Sequence, residues 1–169
     1  MLGNSTKKLT RAGVTAGLYV VLSLITFPFA SGAIQFRLSE VLTLLPLFFV
    51  ETVPALFVGC ILINVITGCA LLDVVLGSLI TLVAGFLTYL VGRIFKSVWL
   101  KILIGGIFPV LLNAFLLPLI WLIYGTGEYV YILQCAFLLI SQSVVIYCLG
   151  IPFILLIKRM REKNIDFLL

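Results

Sequence analysis

Long apolar runs, separated by short polar or glycine- and proline-containing breaks, extend along the whole chain. A helix that crosses a bilayer needs about 20 mostly apolar residues, and shorter helices are tolerated where the bundle is thin or the helix ends at a cavity. We find no linker, low-complexity tract or internal repeat, which indicates a single transmembrane domain over residues 1–169. The pattern predicts an all-α bundle of six membrane-spanning helices, at residues 12–30, 38–50, 53–70, 73–92, 102–123 and 130–157.

The second and third predicted helices are short and form a hairpin. Residues 51–54 separate them, and Pro54 suits the first turn of the helix that follows. The breaks at residues 28–32, 68–72 and 124–128 then become three loops at the opposite, outer end of the bundle.

The composition excludes a soluble globular protein. The chain is 63% hydrophobic and 10% charged, and its mean hydropathy is +1.34, whereas soluble domains are about half apolar and a quarter charged. The first apolar run continues as a full span and does not end at a small-residue cleavage site, so we expect the first helix to be retained. These features predict a multi-pass protein of the cell membrane.

Ten of the eleven basic residues fall into three clusters that flank the predicted spans. Basic residues collect on the cytoplasmic side of membrane proteins, and six spans place all three clusters and both termini on that side. The basic residues form no continuous stripe, so the net charge of +5 indicates topology and not nucleic-acid binding. The clusters are Lys7, Lys8 and Arg11; Arg93, Lys96 and Lys101; and Lys158, Arg159, Arg161 and Lys163.

Several kinds of catalytic and metal site are missing from the sequence. The chain has no histidine, and its four cysteines lie in apolar segments without a Cys-x-x-Cys pair, which argues against a zinc or haem site. The absence of histidine also removes the usual general base. No Gly-x-x-x-x-Gly-Lys-Ser/Thr loop occurs, so any ATP hydrolysis belongs to partners. We expect a chain without a cofactor or catalysis of its own.

Four ionisable residues, Arg37, Glu40, Asp73 and Glu128, lie at or near the outer ends of predicted helices. Arg37 and Glu40 are three residues apart, on one helical face and within salt-bridge reach. The pair either pins the end of the helix, or Arg37 orients Glu40 to accept two parallel N–H bonds from a planar heterocycle. Asp73 is equally suited to capping the fourth helix.

Amides also occur inside apolar helices, where an unsatisfied polar group is costly. Asn113 and Gln142 lie well down the fifth and sixth predicted helices. They either join helices through hydrogen bonds or, if these two helices face each other, form the floor of a pocket. The wall of that pocket would include Trp121 and Tyr124, whose rings are suited to stacking on a flat ligand.

The first predicted helix begins with two overlaid patterns of small residues, Ala12 with Ala16 and Gly13 with Gly17. Such faces let helices approach closely in lipid. This face therefore either packs within the bundle or binds another membrane protein.

Several segments resemble the QueT family of transport proteins. The most specific is Gln-Phe-Arg-Leu-Ser-Glu-Val-Leu-Thr-Leu-Leu-Pro at residues 35–46, and the likeness covers nearly the whole chain. The other segments are Gly59-Cys60 with Asn64, then residues 72–79, 109–114 and 147–152.

The resemblance implies a substrate-binding S component of an energy-coupling factor (ECF) transporter. Such a six-helix protein captures a queuosine precursor, a 7-deazaguanine such as queuine, from outside the cell. It docks on a transmembrane coupling protein that works with two ATPase subunits, and Ala12 and Ala16 resemble the docking motif. The substrate site that we expect comprises Arg37, Glu40, Asp73, Asn113, Trp121 and Gln142.

One departure from the family pattern lies in the sixth helix. Ser141-Gln142 stands where the family often has Gly-Glu, so an amide replaces a carboxylate. The loss of a negative charge weakens selection for an ammonium group on the ligand.

Two other functions fit the same residues. One is an S component for another flat, vitamin-like molecule. The other is a small membrane enzyme or assembly factor that uses Glu40 or Asp73 as an acid or base.

Overall fold

The computed structural model describes residues 4–30, 35–125 and 130–162, and these ranges are almost entirely helical, with no strand within them. The all-helical prediction is confirmed. We number the helices in chain order: helix 1, Asn4–Ala30; helix 2, Leu38–Leu47; helix 3, Thr52–Ile66; helix 4, Asp73–Ile94; helix 5, Val98–Tyr124; and helix 6, Tyr131–Glu162. Glu128, at one predicted outer loop, lies outside the described residues.

Four of these helices, numbers 1, 4, 5 and 6, are long and apolar enough to cross a membrane. Helices 2 and 3 are shorter and also apolar. Many large apolar side chains on the long helices face outward, among them Phe29, Ile94, Ile123 and Ile132. Since exposed apolar surface of this extent is unfavourable in water, the structure is that of a membrane protein.

Helix 2 occupies the middle of the bundle. It is a 3-10 helix, and all of its residues after Leu38 are buried. A 3-10 helix rises about 2.0 Å per residue, compared with 1.5 Å in an α-helix. The ten residues therefore extend over roughly 20 Å and pass between helices 1, 4, 5 and 6, which contact them. Helix 2 ends at Leu47, three residues before the predicted end.

Three apolar clusters hold the helices together. One cluster joins helices 2, 4, 5 and 6, and we call it the basic-end cluster because Val91, Ile102 and Ile154 are close in sequence to basic residues. A second, which we call the distal cluster, joins helices 4, 5 and 6, and a third joins helices 1, 2 and 3. The basic-end cluster contains Leu44, Leu47, Val91, Ile102, Val110, Ile146 and Ile154. The distal cluster contains Ile80, Ala114, Leu117, Ile120 and Leu138. The third contains Tyr19, Leu42, Leu45, Leu56, Cys60 and Ile63.

Two glycines lie where the backbone or Cβ atom of a neighbouring helix comes close. A Cβ atom at Gly59 would lie 3.0 Å from Cβ of Tyr19 and 3.2 Å from the backbone oxygen of Ala16, so helices 1 and 3 pack tightly there. A Cβ atom at Gly92 would overlap the backbone of Leu47, which brings helix 4 against the end of helix 2. The contact at Gly92 fixes the position of the end of helix 2 against helix 4.

Helices 4 and 6 each contain a wider, π-helical segment. Helix 4 begins with one, Asp73–Gly77, and helix 6 contains another, Val144–Leu149. Short π-helical segments occur frequently at functional sites. Here they adjoin two candidate residues, because Asp73 starts the first and Gln142 precedes the second by two residues.

Candidate substrate-binding site

Glu40 is a buried carboxylate that connects three helices. Its side chain is 2% exposed, because helix 2 is surrounded by the bundle. The Tyr19 hydroxyl of helix 1 donates to Oε1 at 3.2 Å, and the Asn113 amide of helix 5 donates to Oε2 at 3.1 Å. Each carboxylate oxygen therefore has a partner from a different helix, as a buried polar group requires.

Gln142 lies at the same level of the bundle on helix 6. It is 1% exposed, and its Oε1 has no hydrogen-bond partner among the described residues. One turn before it, Leu138 belongs to the distal cluster, and one turn after it, Ile146 belongs to the basic-end cluster. Asn113 lies between members of the same two clusters on helix 5. Helices 5 and 6, which carry these two amides, pack against each other.

Tyr19, Glu40, Asn113 and Gln142 form what we call the polar layer, across helices 1, 2, 5 and 6. A carboxylate offers about four acceptor positions, and Tyr19 and Asn113 use one on each oxygen. The remaining positions, together with Oε1 of Gln142, make the layer rich in acceptors. A ligand with adjacent N–H donors matches it, whereas a ligand that presents acceptors leaves buried groups unsatisfied.

Arg37 does not form the expected salt bridge with Glu40. It precedes helix 2 in extended backbone, with φ −116° and ψ 102°, and its Nη2 donates to Oε1 of Gln35 at 3.2 Å. Because Arg37 lies outside the helix, a spacing of three residues does not place it on one helical face with Glu40. The carboxylate turns toward Tyr19 and Asn113 instead.

Asp73 and Trp121 form a second polar contact, near the ends of helices 4 and 5. The indole Nε1 of Trp121 donates to Oδ1 of Asp73 at 3.2 Å, and the Asn64 amide donates to the Asp73 backbone oxygen, also at 3.2 Å. Asp73 is the first residue of the π-helical segment of helix 4, and a side chain from helix 5 holds its carboxylate. The side chain of Tyr124, the other predicted wall residue, lies outside the described residues.

The small residues of helix 1 face two directions. Ala12 and Ala16 are partly buried, and they lie on the same face as Tyr19, the side that packs on helix 3 at Gly59. Gly13 and Gly17 are exposed, with open space where a Cβ atom would lie. The face with Ala12 and Ala16 therefore packs within the bundle, and the adjoining face with Gly13 and Gly17 is open to another helix.

Comparison with known proteins decides the family. The sequence profile of the QueT transporter family matches residues 9–159, which is most of the chain. This protein belongs to the QueT transporter family. No curated protein and no solved structure gives a significant match. The resemblance carried by residues 35–46 is confirmed at the level of the family.

In this QueT-family protein, sequence reasoning missed Tyr19 as a partner of Glu40. The sequence did indicate that Tyr19 shares a helix face with Ala12 and Ala16, because the three residues follow the i, i+4, i+7 spacing. A tyrosine on a buried face needs a partner for its hydroxyl. Nothing in that spacing identifies Glu40 as the partner, because the contact depends on how deep helix 2 lies.

Proposed function

We propose that this QueT-family transporter is the substrate-capture S subunit of an ECF uptake system, and that it binds a 7-deazaguanine queuosine precursor such as queuine. The polar layer is the observation that carries the proposal. Its buried carboxylate and amide oxygen match the adjacent N1–H and exocyclic amino donors of a deazaguanine ring. Planar recognition of this kind uses two parallel N–H···O bonds to one carboxylate.

The proposed topology has six spans, with both termini in the cytoplasm of a multi-pass cell-membrane protein. It is supported by the cavity at one end of the bundle, whose lining includes Lys8, Arg93 and Arg161, one residue from each basic cluster. The three clusters therefore lie at one end, as the positive-inside rule requires for a cytoplasmic face. Asp73 and Trp121 lie at the opposite ends of their helices, where the substrate enters in this topology.

Within the substrate site, each residue has a proposed role. Glu40 accepts the paired donors of the ring, Asn113 and Gln142 position it, and Trp121, held by Asp73, forms the apolar wall against the ring face. Arg37 lies at the entrance, before helix 2, where its positive charge and its contact with Gln35 shape the approach to Glu40.

Transport in this proposal depends on partners. The small-residue surface of helix 1, Ala12 and Ala16 with the adjoining open Gly13 and Gly17, docks on the transmembrane coupling protein, because small residues permit close helix approach in lipid. Two ATPase subunits supply the energy, and the chain itself catalyses no reaction. The whole chain acts as one domain.

A competition experiment tests the proposal. The purified protein is incubated with an equimolar mixture of queuine and several flat vitamins, then examined by native mass spectrometry. Retention of queuine alone supports the assignment. Retention of another flat vitamin would identify an S component of different specificity, and conversion of any compound to a new mass would indicate an enzyme.

Co-purification tests the partners separately. The tagged chain, expressed with the coupling protein and both ATPases, should recover all three. An otherwise identical preparation of Gly13→Trp, on the open part of this surface, should lose them while it still retains queuine.

A further inference from the structure

The basic end of the bundle contains a cavity of about 480 Å³ that the substrate site does not use. We call it the basic cleft. Three helices contribute cations from their ends: Lys8 and Arg11 from helix 1, Arg93 from helix 4 and Arg161 from helix 6. A volume of several hundred Å³ is typical of ligand pockets.

The charges of the basic cleft are unbalanced. Four cations and one carboxylate, Glu51, line it, which gives a net charge of +3. Glu51 forms an ion pair with Arg11, whose guanidinium carbon also lies 4.1 Å from the centre of the Phe49 ring. Arg11 is thereby fixed as part of the wall. Lys8, Arg93 and Arg161 are exposed and converge on the same space.

The remaining walls are apolar or hydroxyl-bearing. Leu47, Phe48, Phe49 and Val50, at the end of helix 2 and in the turn after it, line one side, and Tyr89 of helix 4 lines another. A group that fits must therefore combine a concentrated negative charge with an apolar portion. The positive-inside rule explains why cations occur at this end, but it does not require that they converge on one cavity.

We propose that the basic cleft binds the phosphate of an anionic amphiphile, with Lys8, Arg93 and Arg161 as its ligands. Arg and Lys donate several charged hydrogen bonds to phosphate oxygens. Basic pockets between helices at a membrane surface are suited to phospholipid head groups. The phosphate belongs to an anionic phospholipid or to a soluble phosphate ester, and the two sources present the same chemistry to these side chains.

Native mass spectrometry of the full-length, delipidated protein tests this site. The probe is phosphatidylglycerol, with phosphatidylcholine as the zwitterionic comparison. The wild type should retain one phosphatidylglycerol. A double variant, Arg93→Gln with Arg161→Gln, should weaken its retention on the order of 10- to 30-fold, since each cation near a membrane surface contributes about fivefold.

The chain offers a matched control for total charge. Lys96→Gln with Arg159→Gln removes two exposed cations from the same two basic clusters, and neither residue lines the cavity. This variant should change retention by less than about threefold. Both variants should elute as monodisperse protein with matching thermal unfolding midpoints, which separates binding from folding.

Inorganic phosphate distinguishes the two sources. Displacement of phosphatidylglycerol only at high phosphate concentration supports a lipid site. Binding of inorganic phosphate that is lost in Arg93→Gln with Arg161→Gln, without retention of lipid, supports the same site with a soluble ester as its ligand. Equal losses in the cleft variant and the charge-matched control, or no binding of either probe, would overturn the proposal.

Discussion

Replacement of Glu40 by glutamine tests the substrate site with the smallest change in shape. The side chain keeps its size but loses its charge and one of its two acceptor oxygens. In the structure these oxygens separately accept the Tyr19 hydroxyl and the Asn113 amide, at 3.2 and 3.1 Å. The new NH₂ group therefore faces one of two donors, and a bound deazaguanine loses one of its paired N–H···O bonds.

The expected cost in binding is that of one hydrogen bond to a charged group, about 1.5 to 3 kcal/mol. This corresponds to a dissociation constant roughly 10- to 150-fold higher for queuine. Isothermal titration of the purified protein measures it. Glu162→Gln is a matched control, because Glu162 is exposed, lies at the end of helix 6 and pairs with Lys158. The affinity of this variant for queuine should equal that of the wild type.

The alternative is that Glu40 is only structural. Glu40→Gln would then lower the thermal unfolding midpoint while the folded fraction binds queuine normally. Unchanged affinity in well-folded Glu40→Gln protein would exclude Glu40 from the substrate site and leave Asp73, Asn113 and Gln142 as its candidates.

Three further predictions follow from the topology, the helix contacts and the docking surface. Ser97→Cys should resist a membrane-impermeant thiol reagent added outside the cell, because the proposed topology puts the loop between helices 4 and 5 in the cytoplasm; ready labelling would reverse the topology. In a thermal unfolding assay, Gly92→Ala should destabilise the protein by about 1 to 3 kcal/mol, because the new Cβ atom overlaps the Leu47 backbone. Gly17→Ala is the control: its Cβ atom meets open space, so it should be neutral or slightly stabilising. Gly13→Trp, at a position with open space for a side chain, should abolish queuine uptake by cells but leave the affinity of the isolated subunit unchanged, and wild-type uptake would contradict the docking surface.

The helical segments could be predicted from sequence because apolar runs and their breaks are local signals. The predicted segments 73–92 and 102–123 correspond to the observed Asp73–Ile94 and Val98–Tyr124. The sequence did not reveal that helix 2 is a 3-10 helix. That geometry depends on the helices that surround it and on contacts such as Leu47 with Gly92.

The candidate site was predictable in its residue types but not in its pairing. Glu40 was selected as an ionisable residue near the outer end of a predicted helix and Asn113 as an amide inside an apolar helix, and the structure joins them directly. The predicted salt bridge between Arg37 and Glu40 was wrong, because helix 2 begins one residue after Arg37. Tyr19 was missed because its contact with Glu40 connects residues 21 positions apart, and no spacing within one helix encodes such a contact.

In the proposed function, a donor-rich, flat heterocycle binds the polar layer formed by Tyr19, Glu40, Asn113 and Gln142. The most direct measurement compares the affinities of 7-deazaguanine and 7-deazahypoxanthine, which lacks the exocyclic amino donor, for the purified wild-type protein. We predict that 7-deazahypoxanthine binds at least about tenfold more weakly, because a buried acceptor then has no partner. Equal affinity for the two bases, or no measurable binding of 7-deazaguanine, would contradict it.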